Sequence, residues 1–172
     1  MRLPVNPVPS KEVVVKYFIL ACLVLFCSCS EEENPLPLER AQYLKRVSVD
    51  QGVWGWVEFW EGDHMPSPDG VSGKKYAVER QILFCEPVQL SQISNGTSFY
   101  DILPSKLIKS TFSDGTGFFQ LKLEAGTYSL FIKEGDTYYQ GFTGLNGYVG
   151  ETIVQPNSTT ESQVKILYKA VF

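Results

Sequence analysis

The 172-residue chain has one histidine, His64, and past residue 29 one cysteine, Cys85. Those scarcities exclude much. A Ser-His-Asp site would have to be built on His64 alone, and zinc sites that need a second imidazole or paired thiols lack donors. An intramolecular disulfide is not expected. Cys85 ends the apolar run Ile82-Leu83-Phe84-Cys85 and reads as a buried, inert thiol. No Gly-rich phosphate loop, zinc-protease helix or paired-cysteine motif occurs, and no cofactor is implied. Lysine and arginine number 15 against 19 aspartates and glutamates, a net charge of −4. The only close basic groups are Lys74-Lys75 and Lys106/Lys109, so nucleic acid is not an expected partner. No apolar run reaches the roughly 20 residues that span a bilayer.

What is present begins at the N-terminus. Residues 1–11 hold three prolines and stand apart from the fold. Arg2, Lys11 and Lys16 then precede the apolar stretch Tyr17-Phe18-Ile19-Leu20-Ala21-Cys22-Leu23-Val24-Leu25-Phe26, the order of a secretory signal. Phe26-Cys27-Ser28-Cys29 resembles a bacterial lipobox, in which a small residue precedes the cysteine that becomes the lipidated first residue. Phe26 stands where an aliphatic residue is usual. The resemblance implies a signal peptide over 1–28, lipidation at Cys29 and attachment to the outer membrane, against the alternative of an unacylated protein cut near Ser28 or Ser30. Acyl chains hold a protein stably once two or more are present. Removing three basic residues and one acidic one takes the net charge from −4 to −6. The run Ser30-Glu31-Glu32-Glu33 cannot pack, so 29–44, with Pro35 and Pro37, is expected to be an acidic, proline-containing tether. Cys29 with that run also resembles the export signal of Bacteroidota-type surface lipoproteins. That implies the cell surface, with the periplasmic face as the alternative.

Residues 45–172 show period-two alternation between turn signals and no convincing helix. Runs fall at 47–60, 77–85, 98–103, 107–112, 148–154 and 162–172, with a polar loop over 61–75, and the clearest local unit spans 107–133. Ser113-Asp114-Gly115-Thr116-Gly117 is a turn. Phe119, Leu121 and Leu123 share one face, and after Glu124-Ala125-Gly126-Thr127 so do Tyr128, Leu130 and Ile132, a pattern that predicts a hairpin. The whole predicts an all-β, seven- to eight-stranded antiparallel β-sandwich. Asn95-Gly-Thr and Asn157-Ser-Thr read as turns.

Ser113-Asp114 with Gly117-Phe118, Leu123, Gly126 and Tyr128-Ser129-Leu130 resembles the signature of carboxypeptidase regulatory-like domains, and Gly55-Trp56-Val57 with Met65-Pro66 resembles their opening strand and loop. Ala125 stands where that family usually has proline. The resemblance covers about residues 50–170 and implies a prealbumin-like (transthyretin-like) sandwich; its motif is structural and carries no activity. Two enzyme groups share that architecture. Intradiol dioxygenases need two histidines, and hydroxyisourate hydrolases need several plus a different C-terminus from Tyr168-Lys169-Ala170-Val171-Phe172.

The remaining candidates for chemistry are few. His64 lies in Glu61-Gly62-Asp63-His64-Met65-Pro66, which reads as a surface loop before it reads as a metal site. Glu58/Glu61 and Glu134/Asp136 are carboxylate pairs with nothing to make them converge. Trp54, Trp56 and Trp60 share one parity of a strand, Glu58 between them, while Val53, Val57 and Phe59 take the other. A regular strand would turn three indoles outward to stack on sugar rings or a protein. A bulge at Gly55, or cover by the tether, would remove them. Tyr138, Tyr139, Phe142 and Tyr148 form a weaker aromatic group. The expectation is a non-enzymatic surface lipoprotein whose sandwich gives structural support or binds an outer-membrane protein. The alternative is a carbohydrate-binding module using Trp54, Trp56 and Trp60.

Overall fold

The computed structural model describes residues 35–172 apart from 67, 69, 71 and 94–96. Ten strands form two packed sheets: β1 (Gly52–Asp63), β2 (Lys74–Ala77), β3 (Gln81–Cys85), β4 (Phe99–Tyr100), β5 (Leu107–Phe112), β6 (Phe118–Leu121), β7 (Gly126–Glu134), β8 (Thr137–Tyr139), β9 (Glu151–Val154) and β10 (Thr159–Val171). In the first sheet β1 lies between β10 on one side and β6 then β2 along the other. In the second the order is β4-β8-β7-β3-β5, with β9 continuing the line of β8 along β7. The expected all-β sandwich is therefore present. Because β6 and β2 share one lateral position and β8 and β9 another, ten strands fill the places of the seven or eight expected. The pairs are antiparallel with one exception: β1 and β10 run parallel, from Gly52 opposite Thr159 onward.

Alternation chose the core correctly. Val53, Val57 and Phe59 of β1 pack with Phe119, Leu123, Tyr128, Leu130, Ile132, Val164 and Ile166 between the sheets. The expected hairpin does not form. β6 pairs with β1 and β7 pairs with β3, so the turn at 122–125 carries the chain from one sheet to the other. Period-two alternation reports which side chains face inward and is silent on which strand lies alongside.

Two outer layers complete the unit. Leu83, Cys85, Val88, Phe131 and Val149 are buried on the outer side of the second sheet, with Ile93, Tyr100, Leu103 and Tyr138 packed against them. Over the first sheet lies the segment that begins at Pro35. Its one-turn helix α1 (Arg40–Leu44) buries Tyr43 completely. The expected tether through residue 44 thus ends earlier, since the Pro35 carbonyl already accepts a bond from the Ala77 N–H at 2.8 Å. Nothing in the alternation pattern announced that turn of helix; five residues are too few to show a period. The three cores are built wholly from residues of the unit Asn34–Phe172. Among the described residues no helix is long and apolar enough to cross a membrane.

Candidate functional site

β1 places Trp54, Trp56, Glu58 and Trp60 on the side of its sheet away from the sandwich core, the parity the sequence predicts. No bulge falls at Gly55: Trp54, Gly55 and Trp56 stay in register with Glu161, Ser162 and Gln163. Gly55 is required for a different reason. A Cβ there would stand 1.7 Å from the Ser162 carbonyl oxygen, so only glycine lets β10 approach.

The expectation of three exposed indoles is corrected by the layer above them. Trp54 is 3% exposed and Trp56 7%. Tyr43 stacks on Trp56 at 4.8 Å between ring centroids and on Phe118 at 6.2 Å, with Leu38 and Val47 alongside. Its hydroxyl donates to the Thr116 carbonyl at 2.6 Å and accepts from the Leu38 N–H at 3.0 Å. Arg46 lies 4.2 Å over the Phe118 ring and pairs with Asp114. A sugar cannot reach Trp54 or Trp56 through that cover.

Trp60 lies beyond the cover and is half-buried. Lys75 sits 3.7 Å and Lys165 5.0 Å from its ring centroid, and His64 and Phe172 lean on it at 5.0 and 6.2 Å. Beneath them Glu58, 7% exposed, accepts from Trp56 Nε1 at 2.7 Å, Trp60 Nε1 at 3.0 Å and Gln163 Nε2 at 3.0 Å. A buried carboxylate is tolerable when its oxygens are filled in this way. Its duty is structural, tying the indoles of β1 to β10. Sequence reasoning picked out Glu58 only as half of a carboxylate pair. Its place between tryptophans of like parity was the available signal.

The other candidates separate. Glu61 accepts from the Tyr76 hydroxyl at 3.1 Å, so it and Glu58 serve different partners. Glu134 pairs with Arg80 and accepts from the Tyr168 hydroxyl at 3.0 Å. His64 has a buried Nε2 without a hydrogen-bond partner, pressed against Gly73, and among the described residues no three His, Cys, Asp or Glu side chains gather as a metal site. Tyr139 belongs to the core, whereas Phe142 is exposed. Burial pushes the Cys85 thiol up to about 12, which keeps it un-ionised. Asn157 turns the chain between β9 and β10 with φ 52°. Cys29, Ser30, Glu31, Glu32 and Glu33 lie outside the described residues, as does Asn95.

Sequence reasoning missed a cleft of about 440 Å³ at the open seam between the sheets. Leu130, Ile132 and Val164 line it from the core, with Phe142, Glu151 and the β10 residues 161–165 around them. The Gln140 side chain donates to the Leu130 carbonyl and closes the β7 side. The β10 side is bounded by two bonds, Thr160 Oγ1 to the Ile153 carbonyl at 2.6 Å and the Leu167 N–H to the Tyr139 hydroxyl at 3.1 Å. Between them lies bare strand edge.

No family model, curated protein or solved structure matches this chain. The residues of the unit therefore carry the functional reading by themselves.

Proposed function

We propose that this chain is a lipid-anchored lipoprotein of the outer membrane, exposed at the cell surface, whose β-sandwich works by presenting a protein-contact surface and performs no catalysis. The single observation that carries the reading is the docking of the chain from Pro35 onward onto the first sheet. Five residues lie between Cys29 and Pro35, and the six steps between them reach at most about 20 Å when fully extended. With Cys29 acylated, that short connection holds a rigid domain near the membrane surface. A long flexible tether would instead let it range. Of the groups weighed for catalysis, Glu58, Glu61 and Glu134 are engaged in holding the fold, which supports a non-enzymatic role.

The carboxypeptidase regulatory-like reading of the sandwich belongs to the same proposal. It is supported by the turn at Asp114, whose Oδ1 accepts from the N–H groups of Thr116 at 2.9 Å and Phe118 at 3.1 Å, as a structural motif should. Gly117 there has φ 80°, and a Cβ would stand 2.6 Å from the Val57 carbonyl oxygen. The glycan alternative retains Trp60 alone, its ring attended by two lysines, and no observation favours it.

Mass spectrometry of the mature N-terminus tests the anchor. Acylated Cys29 as the first residue is the expected result, and an unmodified N-terminus after Ser28 or Ser30 sinks it. Protease shaving of intact cells separates the surface from the periplasmic face.

A further inference from the structure

We infer that the Trp60 end of the first sheet rests on the anionic phosphate headgroups of the membrane that holds the anchor, with Lys75 and Lys165 as its charged contacts and Phe172 as an apolar one. The inference rests on the anchoring reading above and extends it from attachment to orientation.

The chemistry of this end differs from that of the rest of the chain. Ion pairs hold Arg40, Arg46, Arg80, Lys106 and Lys122 to carboxylates of the unit. Lys75 and Lys165 have no ion pair among the described residues. Both are exposed and lie over the ring of Trp60, at 3.7 and 5.0 Å from its centroid. Register brings them to the outer face, Lys75 opposite Trp60 and Lys165 opposite Glu58. Lys74 and Lys169 flank Glu61 at the same end, likewise exposed and without an ion pair among the described residues. The nearby carboxylates have other partners. Glu58 is buried beneath the indoles, Glu61 accepts from the Tyr76 hydroxyl, and Asp63 accepts from the Met65 N–H at 2.8 Å. In a chain of net charge −4, unpaired lysines gathered around an indole are a local exception. Phe172, 64% exposed, leans on Trp60 and His64 beside them. Indole and phenyl rings settle at the headgroup level of a lipid layer, and lysine stems lie along apolar surface while their amines reach phosphate.

The start of the docked chain selects the membrane as the occupant. Pro35 is bonded to Ala77, the last residue of β2, and Lys75 lies two residues back along that strand, about 7 Å away. Cys29 can stand at most about 20 Å from Pro35. Acyl chains on Cys29 therefore bring headgroups within reach of the lysines. Each lysine at an anionic surface strengthens the contact about fivefold, so two favour the seated orientation about twenty-fivefold. That is too little to capture a free domain and enough to orient an anchored one. The Gly52 end of β1 then points away from the membrane, where a protein partner can meet it.

The test supplies the attachment artificially, so it does not depend on Cys29. The chain from Ser30 onward, with an N-terminal hexahistidine tag, is held on vesicles by a nickel-chelating lipid. Tryptophan quenching by a lipid spin-labelled at its headgroup is then measured. Trp54 and Trp56 lie under Tyr43, so the quenchable emission belongs to Trp60, and Trp60→Phe should remove it. Vesicles with about one-third phosphatidylglycerol should quench it at least about fivefold more than phosphatidylcholine vesicles do, and about 0.5 M salt should erase the difference. Lys75→Gln with Lys165→Gln should lower quenching to the neutral-vesicle level, whereas Lys75→Arg with Lys165→Arg should retain it. Lys106→Gln with Lys122→Gln, an equal loss of charge elsewhere, should leave it unchanged, with circular dichroism checking that each variant is folded. Equal quenching on the two kinds of vesicle, or quenching that survives Lys75→Gln with Lys165→Gln, overturns the inference. So does a tagged chain from Asn34 that is quenched where the chain from Ser30 is not, because Glu31–Glu33 are then what the lysines hold. Either failure leaves the anchor standing, and an unmodified N-terminus in mass spectrometry removes the anchor without altering the vesicle result.

Discussion

Glu58 governs this protein at the scale of one residue. Its two oxygens satisfy three donors from two strands, and without it the indole N–H groups of buried Trp56 and half-buried Trp60 would lose their acceptor. Glu58→Gln keeps the shape but turns an amide NH₂ toward one of those donors, so one N–H loses its acceptor. The cost should be about 1–3 kcal/mol in denaturant unfolding, and Glu58→Ala, which orphans all three, should cost more. If Glu58→Ala is as stable as the wild type, the hub has no structural weight. Tryptophan emission should also shift, because Trp56 and Trp60 both donate to this carboxylate. A sequence alone shows an acidic residue between aromatics. It cannot show that the indole nitrogens point back along their own strand to that residue.

Among the elements, α1 has the largest effect for its size. One turn of helix delivers Tyr43 to the outer face of the first sheet, where it stacks on Trp56 and Phe118 with both hydrogen-bonding capacities of its hydroxyl used. Tyr43→Ala should cost about 3–5 kcal/mol, the range for emptying a buried aromatic site, and should expose Trp54 and Trp56 to water as a red-shifted emission. An unchanged spectrum would mean that another element covers those rings. The same region explains where the sequence could be read and where it could not. Val53, Val57 and Phe59 were legible as core because alternation fixes the face of a strand. Trp54 and Trp56 were legible as outward-facing for the same reason. What covers an outward face is a long-range fact, settled here by a segment of prolines and charges that resembles a tether. The parallel β1–β10 pair and the crossing between β6 and β7 were hidden likewise, since both preserve every inward residue of a plain antiparallel meander.

Over the whole molecule, an added layer packs on the outer side of each sheet: Tyr43 with Trp54, Trp56 and Phe118 on the first, and Leu83, Cys85, Val88, Phe131 and Val149 on the second. The cover also determines how the molecule should respond to pH. Burial raises the phenols of Tyr43, Tyr100, Tyr128 and Tyr139, and burial together with Glu61 raises that of Tyr76. Tyr168 is pushed up to about 12 by burial and then by its bond to Glu134. Each of these groups is neutral when protonated and has a higher pKa folded than unfolded. Its contribution is therefore complete below the unfolded value near 10 and is lost as pH rises through the folded value. Cys85 adds a window that opens near 9 and ends at about 12. On the acid side Asp114 works in the opposite sense. Burial pushes its carboxyl up, but the bonds from Arg46 and Thr116 outweigh that and hold it below the ordinary range. Its contribution is present above about pH 4 and lost as pH falls through the folded value. Denaturant midpoints should stay level from about pH 5 to 9 as far as these groups decide, then fall steadily toward 12. Tyr168→Phe should make the alkaline fall shallower without altering the acid limb, and Asp114→Asn should flatten the acid limb without touching the alkaline one. If Tyr168→Phe leaves the alkaline limb unchanged, the Glu134–Tyr168 contact between β7 and β10 does not hold in solution, and the seam that frames the open edge is arranged differently.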